Sequence, residues 1–275
     1  MKFTKMHGCG NDYVYVNCFE ETIENRSLMA VRVSDRHFGV GADGMICIEP
    51  SDVADFKMDM YNADGSQGRM CGNGIRCVGK YVYDYGLTDK TEITVETLSG
   101  IKTLELYIEN GCVHSVRVCM GRPDFIAENI PVLCETETAV MLPVRVQNDT
   151  YYATCVSMGN PHAVVFVDDT DSIPLSELGP LFENHTIFPE RINTEFVQVL
   201  DNKNLKMRVW ERGSGETLAC GTGTCASLVA SVICGKTDRH ANVYVKGGCI
   251  DVYWDAADDM IYMKGPAEVV FEGEI

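Results

Sequence analysis

Residues 70–77 read MCGNGIRC and residues 219–226 read ACGTGTCA, so one frame, Cys-Gly-polar-Gly, occurs twice with Cys71 and Cys220 in the lead. In both places the residues that follow have helical composition, which puts each thiol at a helix start. Unpaired backbone N–H groups and a partial positive charge there favour both a thiolate and a bound carboxylate. Glycines let a ligand come close to those amides and tolerate the angles that a cradle of N–H groups needs. The helix dipole contributes about 0.3–1 kcal/mol, against about 1.36 kcal/mol per pKa unit, so alone it moves a thiol by less than about one unit. A base working at neutral pH, starting from about 8.5, also needs hydrogen bonds or a cation, while its partner acid stays protonated. Two such groups suit inversion of a carbon centre, one thiolate removing a proton as the other thiol delivers one to the opposite face. That chemistry requires no metal and no carbonyl cofactor, and none is expected.

The elements that must position these thiols can be read from periodicity. KFTKMHGCGNDYVYV (2–16) has two short β-like runs around a turn-rich insert holding His7, Asn11 and Asp12. SLMAVRVSDRHFG (27–39) has helical spacing closed by glycine, and GMICIE (44–49) and DFKMDMYNADGS (55–66) read as strands. GNGIRCVGKYVYDYG (72–86) places Ile75, Val78, Val82 and Tyr85 on one helical face. Alternating strands follow in TEITVETLSG, IKTLELYIENG and CVHSVRVCMG. The second half repeats the plan: strands over 145–167, a short helix over 177–185, strands over 194–213, then a buried helix over 221–237 and three further strands. The expected fold is α+β with two pseudo-symmetric domains, residues 1–118 carrying Cys71 and 119–264 carrying Cys220. The last strand, within 265–275, is expected to rejoin the first half.

Composition narrows the function classes. The chain has 275 residues, 45% hydrophobic and 23% charged, as expected of a folded globular protein. A formal net charge of −17 with no basic cluster argues against nucleic acid and anionic membrane as partners. MKFTKMHGCG lacks a signal-peptide stretch, and no run approaches the about 18 apolar residues that span a bilayer, so the chain is expected in the cytoplasm. The 13 cysteines are odd in number and scattered, which does not describe a disulfide framework. Cys71/Cys77 and Cys220/Cys225 have five and four residues between them and no matching histidine pair, so no metal site is expected. Cys77 and Cys225 fall inside the helices, where packing is the expected role.

MHGCGNDY, NADGSQGRMCGNGIRC, GNPHAV, RINTEF and WERGSGETLACGTGTCA, in that order along nearly the whole chain, resemble the diaminopimelate epimerase family. The resemblance implies a pyridoxal-phosphate-independent amino-acid epimerase of two similar domains, each a β-barrel-like mixed sheet around a central helix. It implies Cys71 and Cys220 as the catalytic thiols and diaminopimelate as substrate. Asn11, Asn62, Asn160, Asn193, Glu211 and Arg212 would hold the distal amino-acid group or the α-ammonium. Gly72, Asn73, Gly221 and Thr222 would hold the reacting carboxylate, with His162 close to the centre. A homodimer is expected on the same ground. Gly44 departs from members that carry glutamine there, so it receives no side-chain role.

Other readings remain open at this stage. A proline-racemase-like enzyme would share the fold and the two thiols, and a non-catalytic protein could use Cys71 and Cys220 as a redox pair. GVGADG (39–44) and GTGTCA (221–226) fit dinucleotide-binding spacings, but neither lies in a strand-turn-helix context. GIRCVGKY (74–81) nearly spells a phosphate-binding loop but has Tyr81 for Ser/Thr and falls within a helix.

Overall fold

In the computed structural model, which describes residues 1–275, helices of 13 residues start immediately after each of the two cysteines. By compactness the chain divides into one unit of Met1–Cys119 with Lys264–Ile275 and a second of Met120–Met263.

In the first unit, β1 (Lys2–Gly8) and β2 (Asn11–Asn17) form a hairpin, followed by α1 (Arg26–Ser34), β3 (Gly44–Glu49), β4 (Phe56–Asn62) and the two-residue β5 (Gln67–Gly68). Next come α2 (Gly72–Asp84), β6 (Glu92–Thr97), β7 (Gly100–Glu109) and β8 (Cys112–Gly121). The second unit holds β9 (Leu142–Val146), β10 (Asp149–Ser157), β11 (Pro161–Phe166), α3 (Leu175–Glu183), β12 (Asn193–Asp201) and β13 (Asn204–Glu211). It continues with β14 (Gly215–Glu216), α4 (Gly221–Ile233), β15 (His240–Val245) and β16 (Gly248–Trp254); β17 (Ile261–Pro266) and β18 (Glu268–Glu274) follow.

The pairing plan repeats. β1–β2 is antiparallel, β2–β3 parallel, β3–β4 antiparallel, β4–β6 parallel and β6–β7 antiparallel. In the second unit β10–β11, β11–β12, β12–β13, β13–β15 and β15–β16 follow the same alternation. A parallel neighbour needs a crossover, and the four helices occupy the four crossovers. This is the α+β, mixed-sheet architecture expected. β18 pairs antiparallel with β1, from Lys2↔Glu274 to His7↔Glu268, and belongs to the first unit.

In each unit the strands pack around the second helix. α4 packs on β10, β11, β12, β13, β15 and β16, and its apolar sequence fits a helix covered all round. Leu228, Val229, Ala230 and Cys225 are fully buried there. α2 is more amphipathic and packs Ile75, Cys77, Val78 and Val82 inward against β1, β2 and β7. Each fully buried branched side chain contributes about 1.5–3 kcal/mol of transfer free energy. α1 and α3 cover separate apolar clusters, Val14, Val16, Ala30, Val33 and Met45 in one unit and Val144, Val165, Leu178, Phe182 and Phe196 in the other.

Two local expectations are corrected. Helix α1 ends at Ser34 rather than running to Gly39, because the Asp35 carboxylate accepts from the amides of His37 and Phe38 at 2.7 and 2.8 Å and turns the chain. The insert around HGCGND is tighter than its composition implies: His7 belongs to β1 and Asn11 and Asp12 to β2. Only Cys9 (φ 54°) and Gly10 (φ 82°) turn, both in the left-handed region that a two-residue hairpin of this hand requires.

Candidate active site

The tight β1–β2 hairpin places Asn11 beside the start of α2. Asn11 Oδ1 accepts from the Cys71 thiol at 3.1 Å and from Asn73 Nδ2 at 3.4 Å. Its own Nδ2 donates to Asp43 Oδ2 at 2.7 Å, and Arg36 holds the other oxygen of Asp43 at 3.0 Å. Cys71 is the N-cap of α2, extended at φ −128° and ψ 118°, and its sulfur accepts from the Gly74 amide at 3.3 Å. The Tyr13 hydroxyl also bonds to Cys71; burial first, then that sulfur, holds the phenol well above its ordinary pKa.

Behind this cluster lies Arg76, fully buried within α2. It donates from Nε to the Pro266 carbonyl at 3.1 Å and from Nη1 to Asn73 Oδ1 at 3.0 Å. A charge withdrawn from water is tolerable only when its donors are used in this way. With Asn73 Oδ1 engaged by Arg76, its amide nitrogen points toward Asn11. Arg76 was not singled out by sequence reasoning; the one signal was its spacing of three residues from Asn73 in the expected helix, which puts the two side chains side by side.

Asn62 ends β4, opposite Gly44 in the β3–β4 register, and donates to Ser66 Oγ at 3.0 Å. Its neighbour Ala63 donates its amide to the Asp43 carbonyl at 3.0 Å. A Cβ at Gly44 would stand 2.1 Å from the Tyr61 carbonyl oxygen and 2.8 Å from the Tyr13 ring, so this backbone admits only glycine there.

In the second unit Cys220 is the N-cap of α4 and 5% exposed. Burial first, then the charges of Glu211 and Glu195, pushes its thiol well above the usual range; the Thr222 hydroxyl and the Gly223 amide act in the opposite sense. Thr222 Oγ1 lies 3.5 Å from the sulfur and accepts from Asn160 Nδ2 at 3.2 Å. Asn160 Oδ1 is 3.0 Å from His162 Nε2, and His162 Nδ1 is 2.7 Å from Glu195 Oε1. The chain from Glu195 to Cys220 thus runs through three intervening side chains. Glu211, at the end of β13, accepts from Thr217 Oγ1 at 2.5 Å; burial raises its pKa, while Thr217 and Cys220 lower it.

Asn193 sits opposite His162 in the β11–β12 register and serves the backbone at both ends of its amide, donating to Pro161 O at 3.0 Å and accepting from the Arg212 amide at 2.8 Å. Arg212 donates to the Glu190 carbonyl at 2.9 Å. Gly221 and Gly223 are buried in the first turn of α4, and a Cβ at Gly223 would meet Glu195 Oε1 at 2.7 Å.

The structure therefore gathers Asn11, Cys71, Gly72 and Asn73 at one helix start. It gathers Asn160, His162, Glu211, Cys220, Gly221 and Thr222 at the other, with Asn193 and Arg212 tied to that cluster through backbone. Glu195, Arg76, Tyr13 and Asp43 were not anticipated. Each cluster offers a thiol that can give or take a proton beside backbone amides able to hold a carboxylate. No group of three or more His, Cys, Asp or Glu side chains is placed to hold a metal ion.

The fold is shared with solved structures of low sequence identity. One is a hydroxyproline epimerase from Agrobacterium vitis with bound trans-4-hydroxy-L-proline, with TM-score 0.71 and 14% identity over 100% of this chain and 90% of that one. Another is a phenazine biosynthesis protein from Bacillus anthracis, with TM-score 0.72 and 19% identity over 100% and 98%. The architecture is thus one used by amino-acid epimerases and by phenazine biosynthesis proteins. Sequence relatives are much nearer. The diaminopimelate epimerase of Acetivibrio thermocellus is 58% identical over 275 residues, covering 100% of this chain and 98% of that protein. The diaminopimelate epimerase of Methanococcus maripaludis is 56% identical over 100% and 99%. The chain belongs to the diaminopimelate epimerase family, whose pattern it matches over residues 3–126 and 154–270.

Proposed function

We propose that this chain is an isomerase that epimerises L,L-diaminopimelate to meso-diaminopimelate, without a cofactor, in the pathway to lysine and cell-wall precursors. The observation that carries the reading is the matched pair of helix-capping cysteines, Cys71 and Cys220, in a chain of this family. One thiolate takes the α-proton as the other thiol returns a proton to the opposite face, so the reaction leaves the protein with its protons exchanged between the two sulfurs. In the resting protein Cys220 is the acid, since burial and two carboxylates keep it protonated. Cys71, whose sulfur accepts the Gly74 amide, is the base for that direction once the proton it holds toward Asn11 Oδ1 has been lost.

Gly72, Asn73, Gly221 and Thr222 hold the reacting carboxylate at the two helix starts. Asn11, Asn62, Asn160, Asn193, Glu211 and Arg212 hold the α-ammonium or the distal amino-acid group, and His162 assists at the centre. A distal stereocentre of the wrong hand leaves such groups unpaired, at about 1–3 kcal/mol for each lost partner. We place the protein in the cytoplasm as a homodimer on family grounds. No helix is long and apolar enough to cross a membrane.

Proton NMR in D2O of the reduced protein with L,L-diaminopimelate, and separately with L-proline, tests the reading without added cofactor. Loss of the α-proton signal with appearance of the meso form supports it. Exchange with proline alone would move the chain to the racemase reading, and exchange with neither would overturn acid/base catalysis.

A further inference from the structure

Glu195 lies on β12, fully buried, and so does its partner His162 on β11. One carboxylate oxygen, Oε1, meets the ring at 2.7 Å; the other, Oε2, has no hydrogen-bond partner. A half-satisfied buried carboxylate disfavours the folded state, so packing alone gives no account of it.

The hydrogen bonds leading away from it have two self-consistent arrangements. In the first, Asn160 Oδ1 faces His162 Nε2 at 3.0 Å, both ring nitrogens face acceptors, and the ring carries two protons. Asn160 Nδ2 then donates to Thr222 Oγ1 at 3.2 Å, which leaves the threonine proton for a thiolate at Cys220, 3.5 Å away. Turning the Asn160 amide over gives the second. Its nitrogen donates to an unprotonated Nε2, its oxygen accepts the Thr222 proton, and the threonine oxygen accepts from a Cys220 thiol. The two arrangements hold the same number of protons. They differ in the placement of one, on the sulfur or on Nε2, and nothing is oxidised.

We propose that Glu195 is a positioning residue for proton transfer at Cys220: its carboxylate stabilises the doubly protonated His162 ring, and with it the arrangement in which Thr222 donates to the thiolate. This rests on the reading of Cys220 as an acid/base group. The other titratable groups facing the chain are Glu211 on β13, Cys155 on β10 and Cys220 itself.

The sign of one measurement separates this role from that of a bystander charge. Acting only through its field, Glu195 disfavours the thiolate, so its neutralisation would ease ionisation of Cys220. Acting through His162, its neutralisation locks the second arrangement and hinders ionisation. The experiment is the pH dependence of Cys220 alkylation by iodoacetamide, read from its peptide by mass spectrometry, in the full-length wild type and Glu195→Gln without substrate. The expected result is a midpoint raised by about one pH unit, which is about tenfold slower alkylation near neutral pH. In turnover, kcat falls about tenfold with KM within about twofold. A midpoint that stays or moves down overturns the proposal. If Glu195→Gln fails to fold, His162→Gln breaks the same chain, with the same expected direction and the same overturning results. Alkylation needs no substrate, so a wild type inert toward diaminopimelate would defeat the proposed function while leaving this test readable. An active enzyme with an unmoved midpoint would defeat only the role of Glu195.

Discussion

At the start of α2 the sulfur of Cys71 is partly exposed, takes the Gly74 amide at 3.3 Å and donates to an asparagine; at the start of α4 Cys220 is 5% exposed and faces two carboxylates through burial and a threonine. The backbones are alike: both cysteines are extended N-caps, followed by glycine and a helix of 13 residues. What differs is the support behind each. The first site is backed by a buried cation, Arg76, and the second by a buried anion, Glu195. A repeated fold has thus supplied one geometry and two electrostatic settings. A reaction needing one thiol ionised while the other is not requires that division.

The comparison breaks most severely if either thiol proves dispensable. Cys71→Ala and Cys220→Ala should each lower kcat/KM by at least about a thousandfold while circular dichroism and melting temperature stay near wild type. Substantial turnover in one of them would reduce the pair to a single working group. Arg76→Ala should destabilise the protein by about 2–5 kcal/mol, because it opens a cavity and leaves the Pro266 carbonyl and Asn73 Oδ1 without their donor. A urea midpoint unchanged from wild type would show that the first site does not depend on its buried cation.

Smaller effects sharpen the contrast. Asn11→Ala and Thr222→Val each remove one polar neighbour of a sulfur and should lower kcat/KM by about tenfold, equivalent to about 1.4 kcal/mol. Equal alkylation profiles for the two variants would show that the sulfurs are supported alike after all. The least effect concerns alkaline stability. The folded-state pKa of Cys220 is raised above its unfolded value of about 8.5, so the unfolded chain releases a proton that the folded one retains. Its contribution is therefore intact below about pH 8.5 and declines as pH rises above it. Cys220→Ala should flatten the fall of the urea midpoint between about pH 8.5 and 10. A slope identical to wild type would contradict the raised pKa.

Much of this contrast can be read from the chain before folding, and some of it cannot. The frames around Cys71 and Cys220 announce helix starts because glycine and polar residues precede helical periodicity, and both helices begin where the pattern places them. Glu195 escapes notice because a lone carboxylate in a strand is ordinarily assigned to water, although its period-2 neighbours Val197 and Val199 are apolar. In the fold β12 has helices packed on it from both α3 and α4, and residues 193–197 are all buried. Arg76 is hidden for a related reason. The face of α2 it occupies looks polar in sequence, but it is covered by Gly8 and Gly265, whose missing side chains leave room for a guanidinium. Asn193 shows a different limit: its type and position suggest a ligand contact, but not that one donor and one acceptor site of its amide are already held by the backbone at Pro161 and Arg212.

The pairing of β18 with β1 has a consequence for synthesis. The second unit is continuous from Met120 to Met263, whereas the first is closed by residues after Lys264. On a ribosome moving from the N-terminus, the second unit has all its strands before the first does, although it is made later. β1 waits with an open edge for nearly the whole time of translation, a condition in which unpaired strands recruit wrong partners. A fragment ending at Met263, released from the ribosome and probed by proteolysis, should resist cleavage over residues 120–263 and yield over 1–119. Folding order in this molecule would then run opposite to chain order.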